Sequence, residues 1–174
     1  MSTRSEEFIN TFKDIKLITP ELISYLEDNG FFTQSASARY HGAYEGGLYD
    51  HSKNVMNSLL EFTKNESLVW ERKESPYIIG MFHDLCKIDN YIKNADGTYK
   101  VNYDTRNLGH GDRSIELISK FIDLTEEEKA CISYHMGAYE TSRWNGYDKA
   151  IKAYPNVLWT HMADMYASKI IEKE

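Results

Sequence analysis

Six side chains that can bind a divalent cation lie far apart in the sequence but in comparable surroundings. Histidine and carboxylate side chains together suit hard or borderline divalent ions. His83 and Asp84 are adjacent in a strongly apolar segment, where two polar side chains are costly to bury unless something satisfies them. The other candidates also fall on segments expected to face inward: His51, His110, His135 and Asp164. Because helical bundles commonly build metal sites from inward-facing side chains of several helices, the sequence predicts a metal site.

A lysine follows the His-Asp pair at helical spacing. Lys87 lies three residues after Asp84 and four after His83, so in a helix it shares roughly their face. An ammonium group beside a metal-bound phosphate neutralises the charge that builds on the leaving oxygen. Asp84 and Lys87 are therefore the predicted catalytic residues. A solvated helix lysine is the alternative interpretation of Lys87.

The elements that must position these side chains are mostly helices. Apolar groups at helical spacing, with Thr19 and Thr125 as N-caps and Pro20 at a first helical position, predict most of them. The predicted helices span 5–15, 20–30, 48–64, 76–88, 111–122, 125–136 and the segment from Pro155 to near the C-terminus. A polar, aromatic loop is expected over 137–147.

Residues 91–103 follow a different pattern. Apolar and polar residues alternate around Asp96-Gly97, which predicts a β-hairpin. A lid over the site and a plain structural insertion are both open interpretations of this hairpin. No internal repeat or Pro/Gly/Ser-rich linker is present, so we expect a single domain over residues 1–174. The predicted fold is an all-α helical bundle with one small β-hairpin insertion.

The amino-acid composition limits the kinds of binding partner that we expect. The net charge is −7 and the 20 lysines and arginines are scattered, which disfavours a long nucleic acid as a ligand. Cys86 and Cys131 lack metal-type spacing and are interpreted as free thiols. No segment approaches the roughly 18 apolar residues of a membrane span, and the charged N-terminal residues lack the apolar core of a secretion signal. We therefore expect a cytoplasmic protein without a membrane partner; a homo-oligomer remains open.

The order and spacing of these motifs resemble a known family. His51, His83-Asp84 and Asp164 match the His, His-Asp, Asp order of the HD-domain metal-dependent phosphohydrolases, and His110 and His135 match two further histidines of a subset. Over about residues 40–168 the chain is similar to the subset that contains bacterial HD-type exoribonucleases. The strings that carry the likeness are Tyr40-His41-Gly42-Ala43-Tyr44-Glu45-Gly46-Gly47-Leu48-Tyr49-Asp50-His51, His83-Asp84-Leu85-Cys86-Lys87, Leu108-Gly109-His110 and Tyr134-His135-Met136-Gly137.

The resemblance implies a ligand set and a reaction. One metal ion would be held by His51, His83, Asp84 and Asp164, and a second by Asp84, His110 and His135. The resident metal would be one or two divalent ions drawn from Mn, Fe, Co, Ni, Zn or Mg, and would activate a water molecule for attack on phosphorus. Lys87 and Arg113 would bind the phosphate of the substrate.

Three functions are compatible with these candidate residues. The leading one is hydrolysis of a phosphate ester of a nucleotide, cyclic nucleotide or short oligonucleotide. The alternatives are a di-iron oxygenase of the same fold acting on a small polar substrate, and a nucleotide-binding protein without activity. Some neighbouring residues stay open between two roles. His41 and Glu45 contact substrate or stabilise their loop, and His161 supports the site or is an ordinary helix histidine.

Overall fold

Eight α-helices and one two-stranded hairpin make up the described part of the chain, which is residues 3–105 and 109–173 of the computed structural model, apart from the side chain of Ala138. The helices are α1 (Thr3–Phe12), α2 (Pro20–Asp28), α3 (Gly47–Asn65), α4 (Ser75–Phe82), α5 (His110–Ile118), α6 (Glu126–Tyr134), α7 (Trp144–Ala153) and α8 (Asn156–Tyr166). Strands β1 (Tyr91–Lys93) and β2 (Tyr99–Val101) pair antiparallel. The predicted all-α class with one small hairpin is confirmed. None of the described helices is long and apolar enough to cross a membrane.

The helices that carry the candidate residues pack directly on one another. Helix α3 packs against α4 and α8, and α6 packs against α4, α5 and α8. Leu59, Ile79, Ile132 and Val157, from α3, α4, α6 and α8, are fully buried members of one apolar cluster. Because burying such a side chain contributes about 1.5–3 kcal/mol, the hydrophobic core itself sets the frame around the site.

Two helix starts follow the predicted capping chemistry. Oγ1 of Thr19 accepts a hydrogen bond from the backbone N–H of Leu22 at 3.3 Å, and Pro20 is the first residue of α2. At α6, Oγ1 of Thr125 accepts from the N–H of Glu128 at 3.2 Å, and the Glu128 carboxylate accepts from the N–H of Thr125 at 3.0 Å. These contacts satisfy backbone donors that a helix start leaves unpaired, so both predictions are confirmed.

The predicted helix over 76–88 is wrong in its second half. Helix α4 ends at Phe82, and a 3₁₀ turn over Leu85–Asp89 follows. Asp84 has φ −106° and ψ 18°, so the backbone changes direction at this residue. In a continuous helix consecutive side chains point about 100° apart. After the change of direction, Oδ2 of Asp84 lies 3.5 Å from Nε2 of His83. The pair therefore lies at the end of a helix rather than inside one.

The predicted loop over 137–147 is also wrong in part. Short 3₁₀ turns cover Gly137–Tyr139 and Thr141–Arg143, and α7 begins at Trp144. Tyr147 is the buried residue of α7. Ala150 and Ile151 of the same helix also pack against the core, so α7 does have an apolar face. Gly146 in the first turn, which disfavours a helix, and the polar residues before it led to the loop prediction.

Gly80 lets α4 approach α3 closely. A Cβ at Gly80 would lie 2.3 Å from Cα of Met56 on α3, a separation that real Cβ atoms do not show. His51 on α3 and His83 at the end of α4 depend on this approach, since the centroids of their rings are 5.4 Å apart. A side chain at Gly80 would push apart the two helices that hold these histidines.

We expect Gly80→Ala to lower the free energy of unfolding by about 1–3 kcal/mol, because the added methyl group overpacks the contact between α3 and α4. Thermal unfolding followed by circular dichroism measures the change. Gly146→Ala is the comparison in another helix, because its Cβ would meet the hydroxyl end of the Tyr134 side chain rather than the backbone of a second helix. An unchanged melting temperature for Gly80→Ala would contradict the close approach.

Candidate metal centre

Five of the six predicted ligands meet in the centre of the bundle. His51 lies on α3, His83 and Asp84 follow α4, His135 follows α6, and Asp164 lies on α8. Oδ2 of Asp84 is 3.5 Å from Nε2 of His83 and 3.7 Å from Nε2 of His51. Oδ1 of Asp84 is 3.5 Å from Nε2 of His135. Nε2 of His51 is also 3.2 Å from Oδ1 of Asp164. Asp84 is thus the common neighbour of three imidazoles.

Four polar atoms at this meeting point have no hydrogen-bond partner among the described residues. They are Nε2 of His51, His83 and His135, and Oδ1 of Asp84, and all four are shielded from solvent. Although Nε2 of His51 approaches Asp164, the contact lacks hydrogen-bond geometry. Leaving a buried polar group unsatisfied costs about 1–3 kcal/mol. Four such atoms within one small volume fit a site for a cation, because a divalent ion accepts lone pairs from all of them.

The opposite ring nitrogens determine which atoms carry hydrogen. Nδ1 of His83 donates to the carbonyl of Gly80 at 2.9 Å, and Nδ1 of His135 donates to the carbonyl of Ile132 at 2.8 Å. A carbonyl oxygen can only accept, so the proton lies on Nδ1 and a lone pair is left on Nε2. In their neutral form both rings therefore present an unprotonated nitrogen to the centre, which is the form that binds metals.

His51 is held by a carboxylate instead of a carbonyl. Nδ1 of His51 lies 3.0 Å from Oε1 and 3.2 Å from Oε2 of Glu172, and Nδ2 of Asn54 donates to Oε1 of Glu172 at 3.0 Å. Hydrogen bonding to a carboxylate makes the distal nitrogen of an imidazole a stronger metal donor. Sequence reasoning missed Glu172, because an acidic residue in the charged C-terminal segment carries no signal of its own.

Lys87 contacts Asp84 directly. Its Nζ lies 2.6 Å from Oδ2 of Asp84, and both side chains are largely buried. Burial lowers the pKa of Lys87, but the charge of Asp84 outweighs it and the net shift is upward. Burial raises the pKa of Asp84, whereas Lys87 and His83 lower it well below its usual value. The site therefore holds a fixed ammonium and an ionised carboxylate side by side.

The imidazoles differ in their affinity for protons. For His51 burial lowers the pKa, but the carboxylates of Asp164 and Glu172 more than offset this and raise the pKa to about 9. Burial lowers the pKa of His83 to about 4. Without a cation, a proton on His51 offsets the charge of the carboxylates beside it. A metal ion and that proton compete for the same nitrogen.

The sixth predicted ligand, His110, lies at the edge of the cluster. It opens α5, and its Nδ1 lies 3.6 Å from Sγ of Cys86. Ligand atoms of Asp84, Cys86 and His110 all fall within 4.8 Å of one another, so these three residues could hold a metal ion. Leu108, part of the string that carries the family resemblance, lies outside the described residues. Cys86 and Cys131 were predicted to be free thiols, and both are free in the structure. The place of Cys86 beside His110 follows from the fold.

Arg113 and His161 occupy supporting positions. Arg113 pairs with the carboxylate of Asp89 and lines a cleft of about 300 Å³ together with His110. Its predicted contact with phosphate stays a prediction. Nδ1 of His161 donates to the carbonyl of His135 at 2.8 Å, so this helix histidine contacts the backbone of a candidate ligand.

His41 and Glu45, which lie in the same loop, have different surroundings in the structure. The ring of His41 lies 4.8 Å from the ring of His51, and its buried Nδ1 has no partner in the described part of the chain. Burial lowers the pKa of His41 to about 4. Glu45 instead pairs with Lys93 of the hairpin at 2.7 Å, in an exposed position. His41 therefore borders the centre, whereas Glu45 joins its loop to the hairpin.

The chain is similar to dihydroneopterin 2',3'-cyclic phosphate phosphodiesterase of Methanocaldococcus jannaschii, with 30% identity over 170 residues. The match covers 95% of this chain but 63% of the relative, so the chain spans less than two thirds of that protein. No family model and no solved structure matches the chain. The name of the relative describes hydrolysis of a small phosphate ester, a reaction that metal-binding histidines and carboxylates can support.

We expect Asp84→Asn to weaken binding of Mn²⁺ by at least about tenfold, because the amide removes the charge shared by three neighbouring imidazoles. Isothermal titration calorimetry on the metal-stripped protein measures the affinity. Asp123→Asn, at an exposed aspartate, is the control. Equal affinities in the wild-type protein and Asp84→Asn would exclude Asp84 as a ligand.

A second variant changes Glu172, the carboxylate that contacts His51. Glu172→Gln keeps the shape of the side chain but removes its charge, so His51 becomes a weaker donor and Mn²⁺ affinity should fall about tenfold. Glu66→Gln, at the exposed residue that follows α3, is the matched control. The same titration measures both variants, and an affinity unchanged by Glu172→Gln would show that Glu172 does not act through His51.

Proposed function

We propose that this protein is a metal-dependent phosphohydrolase of the HD-domain type. The observation that carries the proposal is the convergence of three unpartnered Nε2 atoms on Asp84, whose own Oδ1 is unpartnered among the described residues. Such a set of buried nitrogen and oxygen atoms fits a divalent ion, which would take lone pairs from all of them. The phosphodiesterase named as a relative supports the reaction class.

The two oxygens of Asp84 face different histidines, which supports a bridging role. Oδ2 faces His51 and His83, whereas Oδ1 faces His135. We propose that one ion is held by His51, His83, Asp84 and Asp164, and a second by Asp84, His110 and His135. Bound divalent ions supply an acidic water and stabilise charge on phosphoryl oxygens.

Lys87 and Arg113 are the proposed phosphate-binding residues. The ammonium of Lys87 is fixed beside Asp84 at 2.6 Å, and its side chain is only 12% exposed. A positive charge that is already desolvated and held in place stabilises developing negative charge without reorganisation. Arg113, oriented by Asp89 in the cleft that His110 lines, is suited to a second phosphate contact.

The proposed substrate is a small phosphate ester of a nucleotide, cyclic nucleotide or short oligonucleotide. A cyclic phosphate is the first choice, because the relative is named for one. In that reaction water adds to phosphorus, one of the two ring P–O bonds breaks, and the released oxygen takes a proton to give a phosphomonoester. The net charge of −7 disfavours a long nucleic acid.

The ligand residues alone suit a di-iron oxygenase as well as a hydrolase. The activity in the name of the relative favours hydrolysis. The two chemistries differ in their need for dioxygen, since hydrolysis consumes only water. Oxygen consumption therefore separates them even when the metal content is the same.

We expect the protein loaded with Mn²⁺, Co²⁺, Ni²⁺ or Mg²⁺ to convert a 2',3'-cyclic nucleotide to its monoester. The panel also contains linear nucleotides and dinucleotides, and chromatography identifies the products. Lys87→Ala should lower kcat at least about 100-fold, because it removes a fixed charge at the reacting phosphate. Lys120→Ala, at an exposed lysine, is the control.

Two outcomes would contradict the hydrolase. One is dioxygen uptake by the Fe²⁺-loaded protein coupled to oxidation of a substrate. The other is tight nucleotide binding with no product from any metal form, which would favour a binding protein. Calorimetry with Mn²⁺ on Lys87→Ala checks that lost activity is not simply lost metal.

A further inference from the structure

A groove runs along one side of the hairpin. Its volume is about 1510 Å³, and it lies between the loop around residues 37–43 on one side and β1, β2 and Tyr103 on the other. The smaller cleft that contains His110 and Arg113 shares Tyr91, Asn102 and Tyr103 with this groove. The groove is therefore continuous with the predicted phosphate-binding residues.

Exposed aromatic side chains from both walls line the groove. Tyr40 on the loop is 76% exposed and Tyr103 after β2 is 90% exposed. No ring contact involves either residue within the ranges 3–105 and 109–173. Large exposed aromatic residues at a concave surface are typical of a ligand site, because an aromatic face in water gains from stacking on a planar ligand.

A cation without a carboxylate partner lies beside these rings. Arg39 lines the groove and is exposed, and none of the ion pairs among the described residues involves it. A guanidinium plane stacks on aromatic ligands and binds anions, so it suits a ligand that has a flat ring and negative charge. In a chain of net charge −7, an unpaired arginine here favours an anionic ligand.

Both walls are anchored at the metal centre. On the loop, His41 follows Tyr40 directly, and its ring lies 4.8 Å from the ring of His51. On the other wall, Tyr91 is the first residue of β1 and follows the 3₁₀ turn that carries Lys87. A ligand whose phosphate is held near Lys87 would therefore extend its remaining part between Tyr40 and Tyr103.

We propose that this groove binds the planar heterocycle of the substrate, with Tyr40 and Tyr103 as stacking residues and Arg39 beside them. The inference rests on the proposed function and adds the place where the aromatic nitrogen heterocycle of such a phosphate ester, for example a purine, binds. The tyrosines act on binding and not on the chemical step, because they lie outside the centre itself.

The test compares two cyclic phosphates that differ in the heterocycle. Guanosine 2',3'-cyclic phosphate carries one, and glycerol 1,2-cyclic phosphate does not. Tyr103→Ala and Tyr40→Ala should each raise KM for the guanosine compound about tenfold with little change in kcat. KM for the glycerol compound should not change. Tyr103→Phe should retain the wild-type KM, because stacking needs the ring and not the hydroxyl.

Tyr166→Ala is the matched control, since this exposed tyrosine lies on α8 with its ring near Phe62. Equal effects of Tyr40→Ala and Tyr103→Ala on both substrates, or no effect on either, would contradict the proposed binding role of the groove. Neither result would contradict the proposed hydrolase function. Should the protein hydrolyse neither compound, calorimetry with guanosine 2',3'-cyclic phosphate decides the matter. Weaker binding in the alanine variants supports the groove, and unchanged or absent binding overturns it.

Discussion

The central constraint on the structure is the burial of Asp84 beside three imidazole nitrogens that have no hydrogen-bond partner among the described residues. The Nε2 atoms of His51, His83 and His135 face this carboxylate, each at 3.5–3.7 Å from one of its oxygens. Lys87 offsets part of the negative charge through Oδ2 but leaves Oδ1 unsatisfied among the described residues. Unpaired buried acceptors oppose folding. A cation bound at this point would turn an unfavourable arrangement into a stabilising one, and metal binding would then be coupled to stability.

The surrounding backbone orients the rings for that task. His83 and His135 are each held through Nδ1 by a carbonyl three residues earlier in the chain, which keeps the lone pair of Nε2 directed inward. His51 receives the carboxylate of Glu172 instead. The imidazoles are therefore not equivalent, and charge is concentrated on the side of the centre where α3 meets the C-terminal segment.

The candidate metal centre and the proposed recognition groove occupy different parts of the molecule. The candidate ligands lie on packed helices, where neighbouring side chains limit their movement. The groove is built from a loop and a short hairpin, where exposed side chains such as Tyr40 and Tyr103 can vary without disturbing the core. If the proposed function holds, this division would let one metal centre serve phosphate esters that differ in the group attached to the phosphate.

The sequence by itself determined the helical class, the hairpin and the helix starts at Thr19 and Thr125, because these features depend on residues close together in the chain. It also selected the candidate ligands by residue type and family resemblance, and their roles stay predictions. Tertiary structure decided the bend at Asp84, the place of Cys86 beside His110, and the contact of His51 with Glu172, which lies 121 residues away. Local patterns cannot specify which distant segments meet, because that depends on how the whole core packs.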